Sequence, residues 1–153
     1  MRRSVLLLAV VAVVLVLASG VALARTINCD GGRCLGTNNN DTMYGSSHRD
    51  TMYGLRGADL MRGNGRADSV NGDGGRDKLS GGRGDDTVNG GDADDVVAGN
   101  SGNDTLNAGN GDDRVEAVDE MSDGITCGNG NNDVAVFDAG LDNVRECEIR
   151  HPR

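Results

Sequence analysis

Aspartate recurs every nine residues through the middle of the chain, and this period constrains the fold more than any other feature of the sequence. An apolar residue follows each aspartate by two positions, and a glycine precedes it by five positions in every repeat but the last, which has Ala108. Repeats of such length are typical of solenoids, in which each repeat buries its apolar side chains against its neighbours. The aspartates are Asp41, Asp50, Asp59, Asp68, Asp77, Asp86, Asp95, Asp104 and Asp113.

The residue types within each repeat predict a turn followed by a short strand. Glycine adopts positive φ angles that other residues avoid, so we expect the six residues from glycine to aspartate to form a turn. The next three residues, one apolar side chain between two others, predict a strand with one inward-facing side chain. Strand, turn, strand and turn make one coil, so that each coil contains two repeats. The coils are expected to stack into an all-β solenoid of two parallel sheets around a thin core of Met, Val and Leu.

Residues 81–89 read Gly-Gly-Arg-Gly-Asp-Asp-Thr-Val-Asn and fit the pattern G-G-x-G-x-D-x-U-x, in which U is a large aliphatic residue. Through nine repeats over residues 36–116, the chain resembles the RTX, or haemolysin-type, calcium-binding repeat family. The resemblance implies a parallel β-roll in which each Ca²⁺ lies between two turns stacked one coil apart. The expected pairs are aspartates two repeats apart, in one row from Asp41 to Asp113 and a second from Asp50 to Asp104, with gaps for up to seven ions.

The resemblance also implies the ligands. The aspartate at position six of each repeat supplies a carboxylate, and backbone carbonyl oxygens of the turns complete the shell of six to eight oxygens that Ca²⁺ prefers. The alternative is that the aspartates only cap turns by accepting backbone N–H groups, in a roll without metal. Around the Asp86 and Asp104 gap, the expected further ligands are Gly81, Arg83, Gly84, Gly99, Ser101 and Gly102.

The charge distribution favours a cation as the partner. The chain has 15 basic and 24 acidic residues, and the imbalance lies in its second half. Residues 25–84 contain 9 basic and 7 acidic residues, whereas residues 85–153 contain 4 and 17. Binding of nucleic acid requires the opposite sign, so we expect no nucleic-acid partner. The later repeats are expected to attract Ca²⁺ more strongly than the early ones.

The first residues have the order of a secretory signal. Arg2 and Arg3 precede an apolar run, and Ala22-Leu23-Ala24 has the small-residue pattern of a cleavage site. This order predicts a signal peptide over residues 1–24 and a secreted, extracellular protein that has no membrane segment after cleavage. The alternative is an uncleaved membrane anchor, because the stretch from Val5 to Ala24 is long enough to span a bilayer.

The four cysteines predict disulfide bonds, as in other exported chains with an even cysteine count. Of the three possible pairings we favour Cys29–Cys34 and Cys127–Cys147, because each pair brackets one end of the repeat array. Cys127 and Cys147 are separated along the chain by about one coil, which places them within disulfide reach. The alternative is a Zn²⁺ site, which the Cys29-x4-Cys34 spacing would allow.

Both ends of the array are predicted to be caps, residues 25–35 at the start and 117–153 at the end. The second contains a degenerate repeat in which Asn132 takes the aspartate position, one residue beyond the place that the nine-residue period gives. Val134, Val136 and Phe137, and then Val144 and Ile149, predict short capping strands.

No catalytic motif accompanies the repeats. His48 and His151 are the only histidines, and the sequence has no His-Glu-x-x-His, Gly-x-Ser-x-Gly or phosphate-loop pattern. We therefore expect a secreted calcium-binding β-roll that folds on binding extracellular Ca²⁺ and is not an enzyme. The alternative is an adhesion or interaction module that presents the face of the roll to an unidentified extracellular or cell-surface partner, with Ca²⁺ only as a scaffold.

Overall fold

The structure, a computed structural model, describes residues 23–153. The predicted signal peptide lies outside these residues, apart from Leu23 and Ala24. Within the described part of the chain, no helix is long and apolar enough to cross a membrane.

The described residues form short β-strands joined by tight turns. In chain order these are β1 (Thr26–Asn28), β2 (Gly32–Leu35), β3 (Thr42–Tyr44), β4 (Asp50–Tyr53), β5 (Leu60–Gly65), β6 (Ser69–Gly74), β7 (Lys78–Arg83), β8 (Thr87–Asp92), β9 (Val96–Ser101), β10 (Thr105–Asn110), β11 (Arg114–Ala117), β12 (Gly124–Asn129), β13 (Val134–Phe137), β14 (Asn143–Arg145) and β15 (Ile149–Pro152).

Odd-numbered and even-numbered strands separate into two sheets, as a two-stranded coil requires. One sheet has eight strands in the order β1-β3-β5-β7-β9-β11-β13-β15, and the other has seven in the order β14-β12-β10-β8-β6-β4-β2. Neighbouring strands are parallel and offset by two repeats through the array, so that Ser69 pairs with Thr87 and Thr87 with Thr105. These sheets confirm the predicted parallel β-roll with two repeats in each coil.

The strands are longer than the sequence predicts. In β8 the strand continues beyond the expected Thr87–Asn89 through Gly90 and Gly91 to Asp92, which makes six residues instead of three. The turn between β8 and β9 therefore has three residues instead of the predicted six. The strand can continue because Gly90 has no side chain: a Cβ there would lie 2.2 Å from the carbonyl oxygen of Ala108 in the next coil.

The core is a single column of apolar side chains between the sheets. One residue per repeat, two positions after the aspartate, is at most 2% exposed. Because each coil adds only two such side chains, burial of apolar surface contributes little stability per coil. The column consists of Met43, Met52, Met61, Val70, Leu79, Val88, Val97, Leu106 and Val115, and it continues in Ile125 and Ala135.

Both ends of the roll carry a disulfide bond, in the pairing favoured from the sequence. Cys29 is bonded to Cys34, and Cys127 to Cys147 with a Cα–Cα distance of 5.1 Å. The second bond joins the last two coils, since Cys127 lies in β12 and Cys147 lies two residues after the end of β14. The predicted capping strands are present as β13, β14 and β15, and no cysteine in the described residues is free.

Candidate metal centre formed by two rows of buried aspartates

The repeat aspartates stack along the two edges of the roll and are linked by hydrogen bonds. In each row, the backbone N–H of one aspartate donates to Oδ1 of the aspartate one coil later. The N–H of Asp59 donates to Asp77 at 2.7 Å, and that of Asp68 to Asp86 at 2.7 Å. The rows are those that the spacing of two repeats predicts, one starting at Asp41 and the other at Asp50.

The second carboxylate oxygen, Oδ2, has no hydrogen-bond partner in most of these aspartates. The repeat aspartates are all at most 4% exposed, so water does not reach these oxygens. A buried carboxylate oxygen without a donor is costly unless a proton or a cation neutralises it. The oxygens are Oδ2 of Asp59, Asp68, Asp77, Asp86, Asp95, Asp104, Asp113, Asp123 and Asp133.

Asp41 and Asp50, which the sequence predicts to be ligands like the others, have donors on both oxygens. Oδ2 of Asp41 accepts the backbone N–H of Thr37 at 2.6 Å and its hydroxyl at 2.8 Å. Oδ2 of Asp50 accepts the same groups of Ser46 at 2.7 and 3.0 Å. In the first two repeats the aspartate therefore caps its own turn, as the alternative interpretation of the sequence expects for the whole row.

The turn conformation explains this difference. From the third repeat onward, positions two and four both have positive φ, as in Leu55 at 79° with Gly57 at 124°. Non-glycine residues adopt this conformation too, including Arg66 at 77° and Ala93 at 81° in position four. Positive φ is absent at Thr37, Asn39, Ser46 and His48 of the first two repeats, whose turns direct the N–H of position two at the aspartate instead.

Glycine at position one leaves room beside its α-carbon for a carboxylate oxygen and a carbonyl oxygen. A Cβ on Gly72 would lie 2.4 Å from Oδ2 of Asp77 and 2.5 Å from the carbonyl oxygen of Gly90, one coil later. The same arrangement surrounds Gly63, with Oδ2 of Asp68 and the carbonyl oxygen of Gly81 each at 2.5 Å. Each glycine thus faces a pair of oxygens, which is the ligand chemistry that Ca²⁺ prefers.

The carbonyl ligands expected around Asp86 and Asp104 occupy different environments. Gly81 and Gly99 pack against Oδ2 of Asp86 and Asp104, since a Cβ on each would lie 2.4 and 2.2 Å from that oxygen. Gly84 and Gly102 stack, with the Gly84 carbonyl oxygen facing Gly102. The Ser101 carbonyl already accepts the N–H of Gly84 at 2.8 Å, and Arg83 pairs with Ser101 in the sheet. The two position-one glycines are therefore the ones that lie against these carboxylates, whereas the Gly81 carbonyl oxygen faces Gly63 in the preceding coil.

Burial raises the pKa of these carboxyl groups. It raises the pKa of Asp77, Asp86 and Asp95 to about 7 and that of Asp59 and Asp68 to about 6. The hydrogen bond from the preceding coil lowers the pKa in part, and the negative charges of neighbouring aspartates raise it again. Keeping these stacked carboxylates ionised near neutral pH therefore costs more free energy than it does for exposed carboxylates.

Two further buried aspartates extend the rows beyond the segment in which the sequence predicts them. The N–H of Asp104 donates to Oδ1 of Asp123 at 2.7 Å, and that of Asp113 to Oδ1 of Asp133 at 2.8 Å. The prediction that Asn132 takes the aspartate position is therefore wrong, because Asp133 takes it. Each interval after Asp113 is one residue longer than the repeat. The buried core residue nevertheless still follows its aspartate by two positions, as Ile125 follows Asp123 and Ala135 follows Asp133. This spacing is the signal that could have identified the two aspartates.

A sequence model of the RTX calcium-binding nonapeptide repeat matches residues 35–61, 62–97 and 89–117, which together make up more than half of the chain. The chain belongs to the RTX calcium-binding repeat family. No curated protein and no solved structure matches it.

The residues of this RTX roll fit Ca²⁺, provided that the backbone contributes. In residues 23–153, no group of three or more His, Cys, Asp or Glu side chains is placed to hold a metal ion by itself. Carboxylates are available only as stacked pairs along each edge, so carbonyl oxygens of the turns must supply the remaining ligands. The buried Oδ2 atoms and the carbonyl oxygens at the position-one glycines are the candidate ligands.

Proposed function

We propose that this protein is a secreted calcium-binding β-roll whose chain folds when it meets extracellular Ca²⁺. The observation that carries the proposal is the set of nine buried Oδ2 atoms without a hydrogen-bond donor. They belong to stacked carboxylates of like charge, and a cation between stacked carboxylates removes both the repulsion and the unsatisfied oxygen.

Folding is expected to depend on Ca²⁺ because the roll has few other interactions that stabilise it. Its core is one side chain wide, and it contains few charge pairs: within the described residues, the salt bridges that do not involve histidine are Arg76–Asp94 and Arg114–Glu116. Ionised aspartates in the two rows therefore oppose folding at neutral pH with little to offset them. An ion that binds only the folded roll shifts the equilibrium toward it in proportion to its concentration.

Export is the second part of the proposal, and it is supported by the predicted signal peptide and by the disulfides. Disulfide bonds persist in oxidising compartments, and both bonds join residues within or next to strands at the ends of the roll. Extracellular fluids also supply free Ca²⁺ at much higher concentrations than the cytosol does. A chain of this kind remains unfolded before export and folds outside.

Circular dichroism of the purified protein at pH 8, in excess chelator and then in millimolar Ca²⁺, tests the proposal. We expect a largely unstructured spectrum in chelator and a β-rich spectrum with Ca²⁺. Mg²⁺ at the same concentration is the control, since its strict octahedral geometry and tightly held water suit a carbonyl-rich cage poorly. A spectrum that is β-rich in chelator and unchanged by Ca²⁺ would refute the proposal.

A further inference from the structure

We propose that the calcium-binding array extends beyond the nonapeptide repeats, and that Asp123 and Asp133 supply carboxylate ligands for further Ca²⁺ sites in the C-terminal coils. The inference rests on the proposed function, because it assigns additional sites of the same kind. Both residues lie after residue 117, where the family match ends, in turns whose sequences depart from the Gly-Gly-x-Gly-x-Asp pattern.

Asp123 lies in the row that starts at Asp50, one coil after Asp104. It is 2% exposed, and its Oδ1 accepts the N–H of Asp104 at 2.7 Å, whereas its Oδ2 has no partner. The ladder continues beyond it, because the N–H of Asp123 donates to Oδ1 of Asp142 at 2.9 Å. The environment of Asp123 is therefore that of the repeat aspartates, although the turn before it, Val118 to Ser122, contains no glycine.

Asp133 lies in the row that starts at Asp41, one coil after Asp113, and is completely buried. Its Oδ1 accepts the N–H of Asp113 at 2.8 Å, and its Oδ2 has no donor. A Cβ on Gly130 would lie 2.2 Å from the carbonyl oxygen of Gly111 and 2.5 and 2.7 Å from the two carboxylate oxygens of Asp133. Gly130 thus leaves room for three oxygens, two from a carboxylate and one from a carbonyl, to converge.

The charge of this segment supports a cation there. Residues 117–144 contain six acidic side chains and no Lys or Arg. Glu148 lies beside Asp133 and accepts its N–H at 3.0 Å, which adds another negative group to that edge. No basic side chain from the segment is available to neutralise Asp123 or Asp133.

The extra residue in each interval does not disturb the ladder. It lies within the turns, so that β12 still pairs in register with β10 and β13 with β11. The aspartates keep their place next to the strand, because Asp123 precedes Gly124 of β12 and Asp133 precedes Val134 of β13. An interval one residue longer therefore preserves the site that the nonapeptide interval forms.

The double variant Asp123→Asn/Asp133→Asn tests the inference in the full chain. Asparagine keeps the Oδ1 acceptor of each residue and removes the charge at Oδ2. The matched control is Glu120→Gln/Glu146→Gln, which removes the same charge from exposed positions nearby. Bound Ca²⁺ per chain is measured by equilibrium dialysis with atomic absorption for both variants and for the unaltered protein.

We expect the aspartate variant to bind fewer ions per chain than the unaltered protein, and the glutamate variant to bind the same number. Equal numbers in all three proteins would overturn the inference and leave the proposed function intact. Absence of bound Ca²⁺ in the unaltered protein would instead refute the proposed function, and the inference with it.

A measurement on the unaltered protein covers the case in which the double variant does not fold. Side-chain ¹³Cγ resonances report on each carboxylate separately during a calcium titration in trimethylamine N-oxide, at a concentration that folds the metal-free roll. Those of Asp123 and Asp133 are expected to shift, whereas that of Asp50, whose two oxygens both have donors, is expected to remain nearly constant. Unmoved resonances at Asp123 and Asp133 would overturn the inference.

Discussion

The backbone N–H of Asp59 donates to Oδ1 of Asp77 at 2.7 Å, so that the two oxygens of the Asp77 carboxylate have different roles. One oxygen holds the neighbouring coil in register, and the other, Oδ2, stays buried without a donor. Coil stacking and metal binding are therefore compatible roles of this aspartate, because they concern different oxygens of one side chain. The first two repeats differ, since the protein itself occupies both oxygens of Asp41 and Asp50.

Asp86→Ala is expected to weaken Ca²⁺ binding more than Asp50→Ala does. Asp86 has an Oδ2 without a donor and stands between Asp68 and Asp104 in its row, whereas Ser46 already occupies Oδ2 of Asp50. We expect Asp86→Ala to lower the affinity of the sites it serves by about tenfold, which corresponds to about 1.4 kcal/mol. Isothermal calorimetry on both variants measures the difference, and an equal or larger loss for Asp50→Ala would contradict it.

The isosteric change to asparagine is expected to have opposite effects on the metal-free fold at two positions. Asp77→Asn keeps the Oδ1 acceptor and removes a buried charge, so it stabilises the roll in chelator at pH 8. Asp50→Asn turns its NH₂ group toward an N–H in either orientation, since Gly31 and Ser46 donate to the two oxygens. We expect it to cost about 1–3 kcal/mol.

Circular dichroism in chelator with trimethylamine N-oxide, which raises the folded fraction into a measurable range, compares these two variants with the unaltered protein. The β-rich signal should rise for Asp77→Asn and fall for Asp50→Asn. A fall in both would show that the Oδ2 atom of Asp77 has a donor in solution.

The metal-free roll is expected to be more stable in acid than at neutral pH. The pKa of Asp77, Asp86 and Asp95 rises from 3.8 in the unfolded chain to about 7 in the folded one, because of burial. The folded state therefore binds protons more tightly than the unfolded state does. The resulting stability is complete below pH 3.8 and is lost as the pH rises through about 7.

Folding monitored in chelator from pH 4 to pH 8 tests this expectation, and we expect the β-rich signal to decrease across that range. Ca²⁺ affinity should change in the opposite sense, because protons and Ca²⁺ compete for the same carboxylates. A metal-free signal that increases from pH 4 to pH 8 would contradict the prediction.

Gly75→Ala is expected to destabilise the roll strongly, whereas Gly65→Ala is not. Gly75 has a φ of 123°, and a Cβ there would lie 1.8 Å from the carbonyl oxygen of Gly57 in the preceding coil. We expect a loss of about 3 kcal/mol in the free energy of unfolding with saturating Ca²⁺. At Gly65 the nearest atom would be 4.0 Å from the Cβ, so the change should stay within about 1 kcal/mol. Denaturant titration measures both, and similar losses would contradict the stacking of these turns.

Much of the fold can be predicted from the sequence because a solenoid translates period directly into stacking. The nonapeptide spacing of Asp41 to Asp113 predicts the coil of two repeats, the two parallel sheets and the two rows of aspartates. The position of Cys127 and Cys147 about one coil apart predicts their bond. The three capping strands follow from Val134, Val144 and Ile149. Each of these conclusions depends on the order of residues along the chain alone.

Only the tertiary structure decided which aspartates have a free oxygen and where the rows end. Whether Oδ2 has a donor depends on the backbone conformation of the turn. In the first two repeats, Thr37 and Ser46 donate to Oδ2 because their turns lack the positive φ angles of the later ones, a difference that the repeat pattern does not indicate. Asp123 and Asp133 enter the rows because a turn absorbs one extra residue while the strand register is kept, which a search for a fixed period misses. Strand length also depends on the neighbouring coil: the strand continues through Gly90 because the absence of a Cβ there leaves room for the Ala108 carbonyl oxygen.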